Sequence, residues 1–336
     1  MFKSGYATLI GKPNVGKSTL LNALVGQKVS IVSSKPQTTR RRVLGIATGE
    51  GFQVAFIDTP GIHEPHTRLG RAMVEQARMA LGDVDLLVYV ANGATAPDET
   101  DNSIAKLISG VTKRGFGSPD HKAHPFTPPV IVTDEDGLEM AEVPEAIDYP
   151  EPEEGVKIVL CLNKMDQLKA QNVAKHIHAY CDLFGTDRYM LTTATQDINL
   201  DKLMDMIVEA LPEGEPMYSE DEFTDQSSRF LAAELVREKI LVATRQEIPH
   251  ATAVLVESWD EEAAITRIQA TIFVEKASQR AILIGKGGDF LKKVGTQARQ
   301  EIEQMLGQKV FLQLHVKVRE GWRQDPRTLK ELEYSE

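Results

Sequence analysis

The segment "LIGKPNVGKSTLLNAL" at residues 9–24 restricts the possible folds of this chain more than any other stretch. Gly11, Gly16, Lys17 and Ser18 match the pattern GxxxxGK[ST], and the match lies between an apolar run and a helical pattern. Glycines let successive backbone N–H groups turn toward phosphate oxygens, while the lysine and the helix N-terminus add positive charge. The segment therefore predicts a phosphate-binding loop that follows a first strand.

The surrounding residues predict an α/β domain. Short apolar runs alternate with helical patterns over residues 6–211, and the strand candidates are "YATLI", "RVLGIATG", "FQVAFID", "DLLVYVA", "KIVLCLN" and "YMLTT". Such alternation is typical of a mainly parallel sheet with helices on both faces. We therefore expect a P-loop NTPase G domain over residues 1–211, with its ligand beyond the carboxyl ends of the strands.

The net charge of −11 is unevenly distributed along the chain. Residues 115–155 contain eleven acidic residues, one basic residue and seven of the sixteen prolines, which predicts a mobile surface insertion with a short strand in "PPVIVTD". Residues 271–323 contain ten basic and five acidic residues, which favours a polyanionic partner. The overall acidity therefore does not exclude nucleic-acid binding.

The motif "CLNKMD" predicts which base the nucleotide carries. Asn163, Lys164 and Asp166 form an N-K-x-D pattern at the end of a strand. A carboxylate accepts hydrogen bonds from N1–H and the 2-amino group of guanine, whereas adenine lacks that amino group and is rejected. In "TTAT", we expect the backbone N–H groups of Thr193 and Ala194 to bond guanine O6, although a Ser-Ala pair is usual there. The pattern predicts GTP and GDP as ligands.

Two further loops predict how the site holds Mg²⁺ and the γ-phosphate. The "DTPG" loop offers Asp58 to Mg²⁺ through water and the Gly61 N–H to the γ-phosphate. The "PQTTR" loop offers a threonine pair for direct Mg²⁺ ligation, of which we favour Thr39 over Thr38. Many GTPases place a glutamine after D-x-x-G to orient water, but this chain has Ile62, so hydrolysis is expected to be slow or organised differently.

Asn14 offers one such alternative, because its side-chain oxygen could hold K⁺ against the phosphates; its other interpretation is a turn-forming residue. The predicted nucleotide contacts are Gly11, Lys12, Pro13, Asn14, Val15, Gly16, Lys17, Ser18, Thr19, Asp58, Thr59, Pro60, Gly61, Ile62, Asn163, Lys164, Met165, Asp166, Thr193 and Ala194. The predicted Mg²⁺ ligands are Ser18, Thr39 and, through water, Asp58. The predicted catalytic residues are Lys17, Asn14, Thr39 and Gly61.

Residues 229–336, after an acidic linker at 212–228, predict a second and smaller α+β domain. Their pattern reads helix–strand–strand–helix–GKGG–helix–strand, the order of a type II K-homology module. A GKGG turn alone usually just joins two helices, but here it lets a single-stranded backbone approach a groove floored by aliphatic side chains, including Ile282. The predicted RNA contacts are Lys276, Arg280, Ile284, Gly285, Lys286, Gly287, Gly288, Leu291, Lys292, Lys293 and Arg299.

The motifs "GKPNVGKST", "PQTTR", "DTPG" and "NKMD", followed by "SQRAILIGKGGDFLKKVGTQAR" and "VKVREGWRQDPRTLKELEY", resemble the Era family of ribosome-assembly GTPases. The resemblance covers nearly the whole chain except residues 115–155. It implies a Mg²⁺-dependent GTPase that binds the 3′ end of 16S rRNA during maturation of the 30S subunit and leaves after hydrolysis. It also implies a cytoplasmic protein, partly associated with the inner membrane face, and we expect a monomer.

Other interpretations of the sequence stay open. An RNA-binding chaperone with an almost inactive nucleotide site agrees with Ile62, whereas a P-loop kinase conflicts with the N-K-x-D motif. The chain also departs from the family at the insertion and at Asp197, where relatives tend to have glycine, so guanine contacts in that loop are less well defined. An organellar location is a further alternative.

Overall fold

The computed structural model describes residues 1–62, 65–82, 84–112, 130–133, 139–142, 156–245 and 248–334. The first domain contains β1 (Lys3–Ile10), α1 (Lys17–Val25), β2 (Val43–Gly49), β3 (Phe52–Asp58), α2 (Arg68–Met79), β4 (Leu86–Asn92), α3 (Glu99–Thr112), β5 (Val130–Thr133), β6 (Glu139–Glu142), β7 (Lys157–Asn163), α4 (Val173–Phe184), β8 (Tyr189–Leu191) and α5 (Leu200–Ala210). Six strands form one sheet in the order β2-β3-β1-β4-β7-β8, and only β2 runs antiparallel to its neighbour. The predicted mainly parallel α/β fold is confirmed.

Helices cover both faces of this sheet, so the central strands β1 and β4 are buried along most of their length rather than on alternate residues. On one face, Leu20 and Leu21 of α1 pack with Leu203 of α5. On the other face, Ile104 of α3 and Ile177 of α4 share a second core. Because β1, β3, β7 and β8 end at the same edge, the four loops predicted to form the site meet there.

The predicted insertion contains a two-stranded antiparallel sheet. The strand predicted in "PPVIVTD" is present as β5, which pairs with β6 from Val130 opposite Glu142 to Thr133 opposite Glu139. The rest of the insertion, and with it the prediction of mobility, lies outside the described residues.

The segment 212–228, predicted as a linker, follows the edge of the first domain. The buried Gln53 side chain accepts hydrogen bonds from the backbone N–H groups of Met217 (2.7 Å) and Tyr218 (2.9 Å) and donates one to the Tyr218 carbonyl (3.0 Å). Farther along, the Ile46 N–H of the edge strand β2 donates to the Phe223 carbonyl (2.9 Å). The acidic segment is therefore anchored by hydrogen bonds, although most of its side chains are exposed.

The second domain contains α6 (Ser228–Ala243), α7 (Ile248–Ala251), β9 (Ala253–Glu261), β10 (Ile265–Val274), α8 (Ala277–Ile284), α9 (Asp289–Leu306), β11 (Lys309–Val318) and α10 (Pro326–Glu331). Its sheet has the order β11-β10-β9, with β10 parallel to β11 and antiparallel to β9. Apolar residues of α6 and α9, such as Val236 and Val294, share a core with Ile268 and Ile272 of β10. The predicted α+β domain is confirmed, with the short helices α7 and α10 in addition.

Candidate functional site

The loop between β1 and α1 has the backbone geometry that a phosphate-binding loop needs. Gly16 has a φ of 102°, and a Cβ atom there would lie 2.3 Å from the Asn163 amide nitrogen. At Gly11, a Cβ atom would lie 2.1 Å from the Val90 carbonyl oxygen. Only glycine fits both positions, because a side chain would displace neighbouring groups.

Lys17 lies at the base of this loop and is almost fully buried. Its ammonium group donates to the carbonyls of Gly11 (3.1 Å) and Lys12 (3.0 Å). Burial lowers the pKa of Lys17 to about 8, and the nearby Asp58 carboxylate acts in the opposite direction. A phosphate anion beside the lysine would favour its charged form.

Ser18, Thr39 and Asp58, the three predicted Mg²⁺ ligands, converge beside the loop. The Ser18 hydroxyl lies 2.8 Å from the Thr39 hydroxyl and donates to Asp58 Oδ2 at 2.7 Å; the Thr39 hydroxyl donates to the same carboxylate oxygen at 3.3 Å. Asp58 is fully buried, its Oδ1 has no hydrogen-bond partner among the described residues, and burial raises its pKa.

These residues fit Mg²⁺, because two hydroxyl oxygens and a carboxylate are the hard oxygen ligands that the ion prefers. Thr38 does not join them, since its hydroxyl donates to the Lys35 carbonyl at 2.6 Å. In this structure the Thr39 hydroxyl, and not that of Thr38, therefore lies beside Ser18 and Asp58. Across the described ranges, no group of three or more His, Cys, Asp or Glu residues offers another metal site.

The N-K-x-D loop is tied directly to the phosphate loop. The buried Asn163 amide donates to the Val15 carbonyl (2.9 Å), and Lys164 Nζ donates to the Asn14 carbonyl (2.7 Å). Asp166 lies exposed in the 3-10 turn Met165–Gln167 that follows β7. In this structure Asn163 therefore joins the N-K-x-D loop to the phosphate loop.

The loop after β8 uses its backbone N–H groups within the protein. The Thr193 N–H donates to the Ile198 carbonyl (3.3 Å), and the Ala194 N–H donates to Asn163 Oδ1 (3.0 Å). A contact from either group to guanine O6 would require exchange of that bond. Asp197 has a φ of 55°, a left-handed conformation that favours glycine but that aspartate tolerates.

The residues that hold the Lys12 side chain carry no recognisable motif in the sequence. Lys12 Nζ pairs with Asp98 (2.9 Å) and with the fully buried Asp101 (2.7 Å), and the Tyr89 hydroxyl donates to Asp101 at 2.5 Å. The Lys12 side chain thus fastens the phosphate loop to the start of α3. Acidic residues at a helix N-terminus are common for electrostatic reasons alone, so the pattern offered no specific signal.

Together, the loops enclose a cleft with a volume of about 270 Å³. Gly61 lies against the phosphate loop, where a Cβ atom would be 2.7 Å from the Pro13 nitrogen, and the Ile62 N–H donates to the Gly11 carbonyl at 3.3 Å. The residues that line the cleft are Pro13, Asn14, Gly16, Lys17, Ser18, Thr19, Ile31, Val32, Ser33, Ser34, Gln37, Thr38, Thr39, Gly61 and Lys164. The structure therefore brings the predicted phosphate, metal and base loops into one site.

In the second domain, the GKGG turn joins α8 to α9. Gly285 has φ 74° and ψ 178°, and a Cβ atom there would lie 2.8 Å from Phe290 Cβ. Gly287 has a φ of 63° and faces open space. The predicted basic contacts are all exposed, namely Lys276, Arg280, Lys286, Lys292, Lys293 and Arg299. Ile284 and Leu291 are half-buried against the core, whereas Ile282 is 54% exposed.

The fold and the site define a P-loop protein with guanine-selective motifs, joined to a K-homology module. A family model described as 50S ribosome-binding GTPase matches residues 6–116, and a KH domain model matches residues 247–323. GTPase Era of Heliobacterium modesticaldum is 40% identical to this chain, and the match covers 99% of this chain and 98% of the relative. GTPase Era of Geobacter metallireducens is 39% identical, and the match again covers 99% of this chain and 98% of the relative. The chain belongs to the GTPase Era family and is a GTPase.

Two solved structures are similar to this chain from end to end. One is Era in complex with MgGDPNP and nucleotides 1506–1542 of 16S ribosomal RNA, with 34% identity, a TM-score of 0.83 and full coverage of both chains. The other is a variant of Aquifex aeolicus Era bound to GDP·AlF4⁻, with 34% identity, a TM-score of 0.82 and full coverage of both chains. The similarity therefore includes both domains.

Proposed function

We propose that this GTPase binds the 3′ end of 16S rRNA through its second domain during 30S maturation and is released after GTP hydrolysis. The observation that carries the proposal is the convergence of Ser18, Thr39 and Asp58 beside a P-loop, in a chain whose second domain presents an exposed GKGG turn. The full-length similarity to Era in complex with MgGDPNP and 16S rRNA nucleotides supports it.

In this proposal each loop has one task. Lys17 binds the β- and γ-phosphates, the Gly61 N–H binds the γ-phosphate, and Asp166 selects guanine by accepting from N1–H and the 2-amino group. Ser18 and Thr39 hold Mg²⁺ directly and Asp58 holds it through water. When bound, Mg²⁺ neutralises the charge that develops on the phosphates.

Asn14 takes the place of the missing glutamine by holding K⁺. Ile62 follows D-x-x-G, and its side chain has no polar atom with which to orient water, whereas Asn14 is exposed on the wall of the cleft. A monovalent cation beside the phosphates would stabilise the same developing charge. A slow intrinsic rate that rises in K⁺ is the expected result.

Single-turnover hydrolysis tests the coupling of the two domains. We expect an RNA oligonucleotide with the 3′ sequence of 16S rRNA to accelerate GTP hydrolysis, and Lys17→Ala to abolish hydrolysis with and without RNA. ATP should not compete with GTP for binding. Hydrolysis that neither responds to RNA nor depends on Lys17 would instead favour an RNA chaperone with an inactive nucleotide site.

Gly287→Asp tests the RNA site. The position has open space around it and aspartate tolerates a left-handed backbone, so the variant should fold and bind GTP normally. Its carboxylate would repel the phosphate backbone, and RNA affinity should be lost. Gly287→Ala, which adds a side chain without charge, is the matched control and should keep most of the affinity. Undiminished RNA binding by Gly287→Asp would place the RNA site elsewhere.

We also infer that the protein is a monomer and that, as the family resemblance implies, it associates peripherally with the inner face of the membrane. Among the helices that the structure describes, none is both long and apolar enough to cross a bilayer. Analytical ultracentrifugation would test the monomeric state, and sedimentation with anionic vesicles would test the membrane association.

A further inference from the structure

The loop that carries Thr39, residues 28–41, is held by the second domain at its downstream end through Arg40. The Arg40 side chain is 2% exposed. Its Nη1 donates to the Thr252 carbonyl (2.7 Å), and its Nη2 donates to the carbonyls of Pro249 (3.1 Å) and His250 (3.2 Å). Arg40 thus crosses the domain boundary to bond backbone groups in and just after α7.

Aromatic rings complete the binding site of this guanidinium. Its central carbon lies 5.7 Å from the ring centroid of Trp322 and 5.7 Å from that of Tyr334. Within the part of the chain that the structure describes, Arg40 makes no ion pair with a carboxylate. A charge that is buried without a paired carboxylate is an expensive way to join two domains, so its position calls for a specific role.

The upstream part of the same loop is held by α6. Glu238 accepts from the Val32 N–H at 2.8 Å and pairs with Lys28 at 2.7 Å, although it is almost fully buried. Arg237, also buried, donates through Nη2 to the Thr38 carbonyl. The second domain therefore contacts the Thr39 loop at several points on either side of Thr39.

We propose that Arg40 is a positioning residue for GTP hydrolysis: it anchors the loop to the second domain so that Thr39 is held at the Mg²⁺ site. The two residues are adjacent, and Thr39 contacts Ser18 while Arg40 contacts the carbonyls near α7. This inference rests on the proposed role of Thr39 as a Mg²⁺ ligand.

The anchor should matter more for GTP than for GDP. Loops of this kind are ordered by contacts with the γ-phosphate and Mg²⁺ and are released after hydrolysis. If Arg40 holds Thr39 in the ordered position, its removal weakens the GTP·Mg²⁺ state and leaves GDP binding nearly unchanged. Because coupling between two sites is reciprocal, Mg²⁺ and GTP should also tighten the contact of Arg40 with the second domain.

Nucleotide binding at varied Mg²⁺ concentration tests the proposal in the full chain. We expect Arg40→Ala to weaken binding of a nonhydrolysable GTP analogue about tenfold and to raise the half-saturating Mg²⁺ concentration, with GDP affinity within about twofold of the wild type. Arg40→Lys keeps the charge but loses the planar guanidinium group. Its affinity for the GTP analogue and its half-saturating Mg²⁺ concentration should lie between those of the wild type and of Arg40→Ala. Arg42→Ala is the matched control, because Arg42 is exposed and should leave both affinities unchanged.

A spectroscopic signal separates positioning from general destabilisation. Trp322 is fully buried beside Arg40, so in a Trp259→Phe background its emission reports on this contact. Adding Mg²⁺ with the GTP analogue should change Trp322 emission, and Arg40→Ala should remove that change. GDP binding shows that the variant is folded; if Arg40→Ala does not fold, Arg40→Lys decides by the same two measurements.

Thr39→Ala distinguishes failure of this inference from failure of the function it rests on. A wild-type Mg²⁺ requirement in Arg40→Ala or Arg40→Lys, together with an impaired Thr39→Ala, would overturn the role of Arg40 alone. A wild-type Mg²⁺ requirement in Thr39→Ala would remove Thr39 from the metal site, and the inference with it. A raised requirement in both variants, with the loss of the Trp322 signal, is the expected result.

Discussion

Gly285→Ala should destabilise the second domain by much more than a glycine substitution normally does. The backbone at Gly285 has φ 74° and ψ 178°, a region that is essentially restricted to glycine and costs another residue about 1–3 kcal/mol. A Cβ atom there would also lie 2.8 Å from Phe290 Cβ and 2.9 Å from the Phe290 nitrogen. Because backbone atoms cannot rotate away, overpacking adds about 1–3 kcal/mol. We expect a total loss of about 3–5 kcal/mol.

Gly287→Ala, two residues away, is the internal comparison. Gly287 also has a positive φ, at 63°, but its Cβ position has no neighbouring atom within 4 Å. Only the left-handed backbone is then penalised, by about 1 kcal/mol. The two substitutions insert the same methyl group into the same turn, so their difference of about 2–4 kcal/mol isolates the contact with Phe290 and the more restricted backbone.

Urea unfolding followed by tryptophan fluorescence measures this difference, because both tryptophans, Trp259 and Trp322, lie in the second domain. With a slope of about 2 kcal/mol per molar urea, the midpoint of Gly285→Ala should fall by about 1.5–2.5 M and that of Gly287→Ala by about 0.5 M. GTP affinity should change in neither. Equal midpoints for the two variants would refute the argument from backbone and contact geometry.

Three further predictions concern the first domain. Turnover should be about tenfold faster in K⁺ than in Na⁺, and Asn14→Ala should remove that difference; equal rates in both salts would exclude the cation. Gln53→Ala should lower the free energy of unfolding by about 2–3 kcal/mol, because the three hydrogen bonds between the buried Gln53 side chain and the linker are lost, and limited proteolysis should then cut within residues 212–228 faster. Asp101→Ala should lower stability by about 3 kcal/mol by leaving Lys12 and the Tyr89 hydroxyl without their buried partner, as measured by thermal unfolding. An unchanged melting temperature would contradict it.

Most of the fold and the loops of the site could be predicted from the sequence, because their signals are local. The P-loop at residues 11–18 needs glycines and a lysine at fixed spacing, and the N-K-x-D motif begins at the last residue of a strand. The sheet topology then brings the loops together without further information, since parallel strands end at one edge. The second domain was predictable in the same way, from the order of its elements around the GKGG turn.

The interactions that hold the loops in place could not be predicted, because their partners are distant in sequence and chemically ordinary. Gln53 looks like one polar residue in a strand, yet it fixes a linker about 165 positions later. Asp101 looks like a charge at the start of a helix, yet it holds Lys12, 89 positions earlier. A periodic pattern identifies which face of an element is buried, but it does not identify the partner of a buried polar group.

Arg40 shows why this limit matters for function. In "PQTTR" it reads as a surface charge beside the predicted Mg²⁺ ligand, whereas its acceptors lie 209 to 212 positions later. Thr39, which contacts Ser18 and Asp58, is thus adjacent in one loop to Arg40, which contacts the second domain. If Thr39 binds Mg²⁺ as proposed, we expect a change of nucleotide that moves Thr39 to alter the Arg40 contacts as well, so that the position of the second domain depends on the state of the nucleotide.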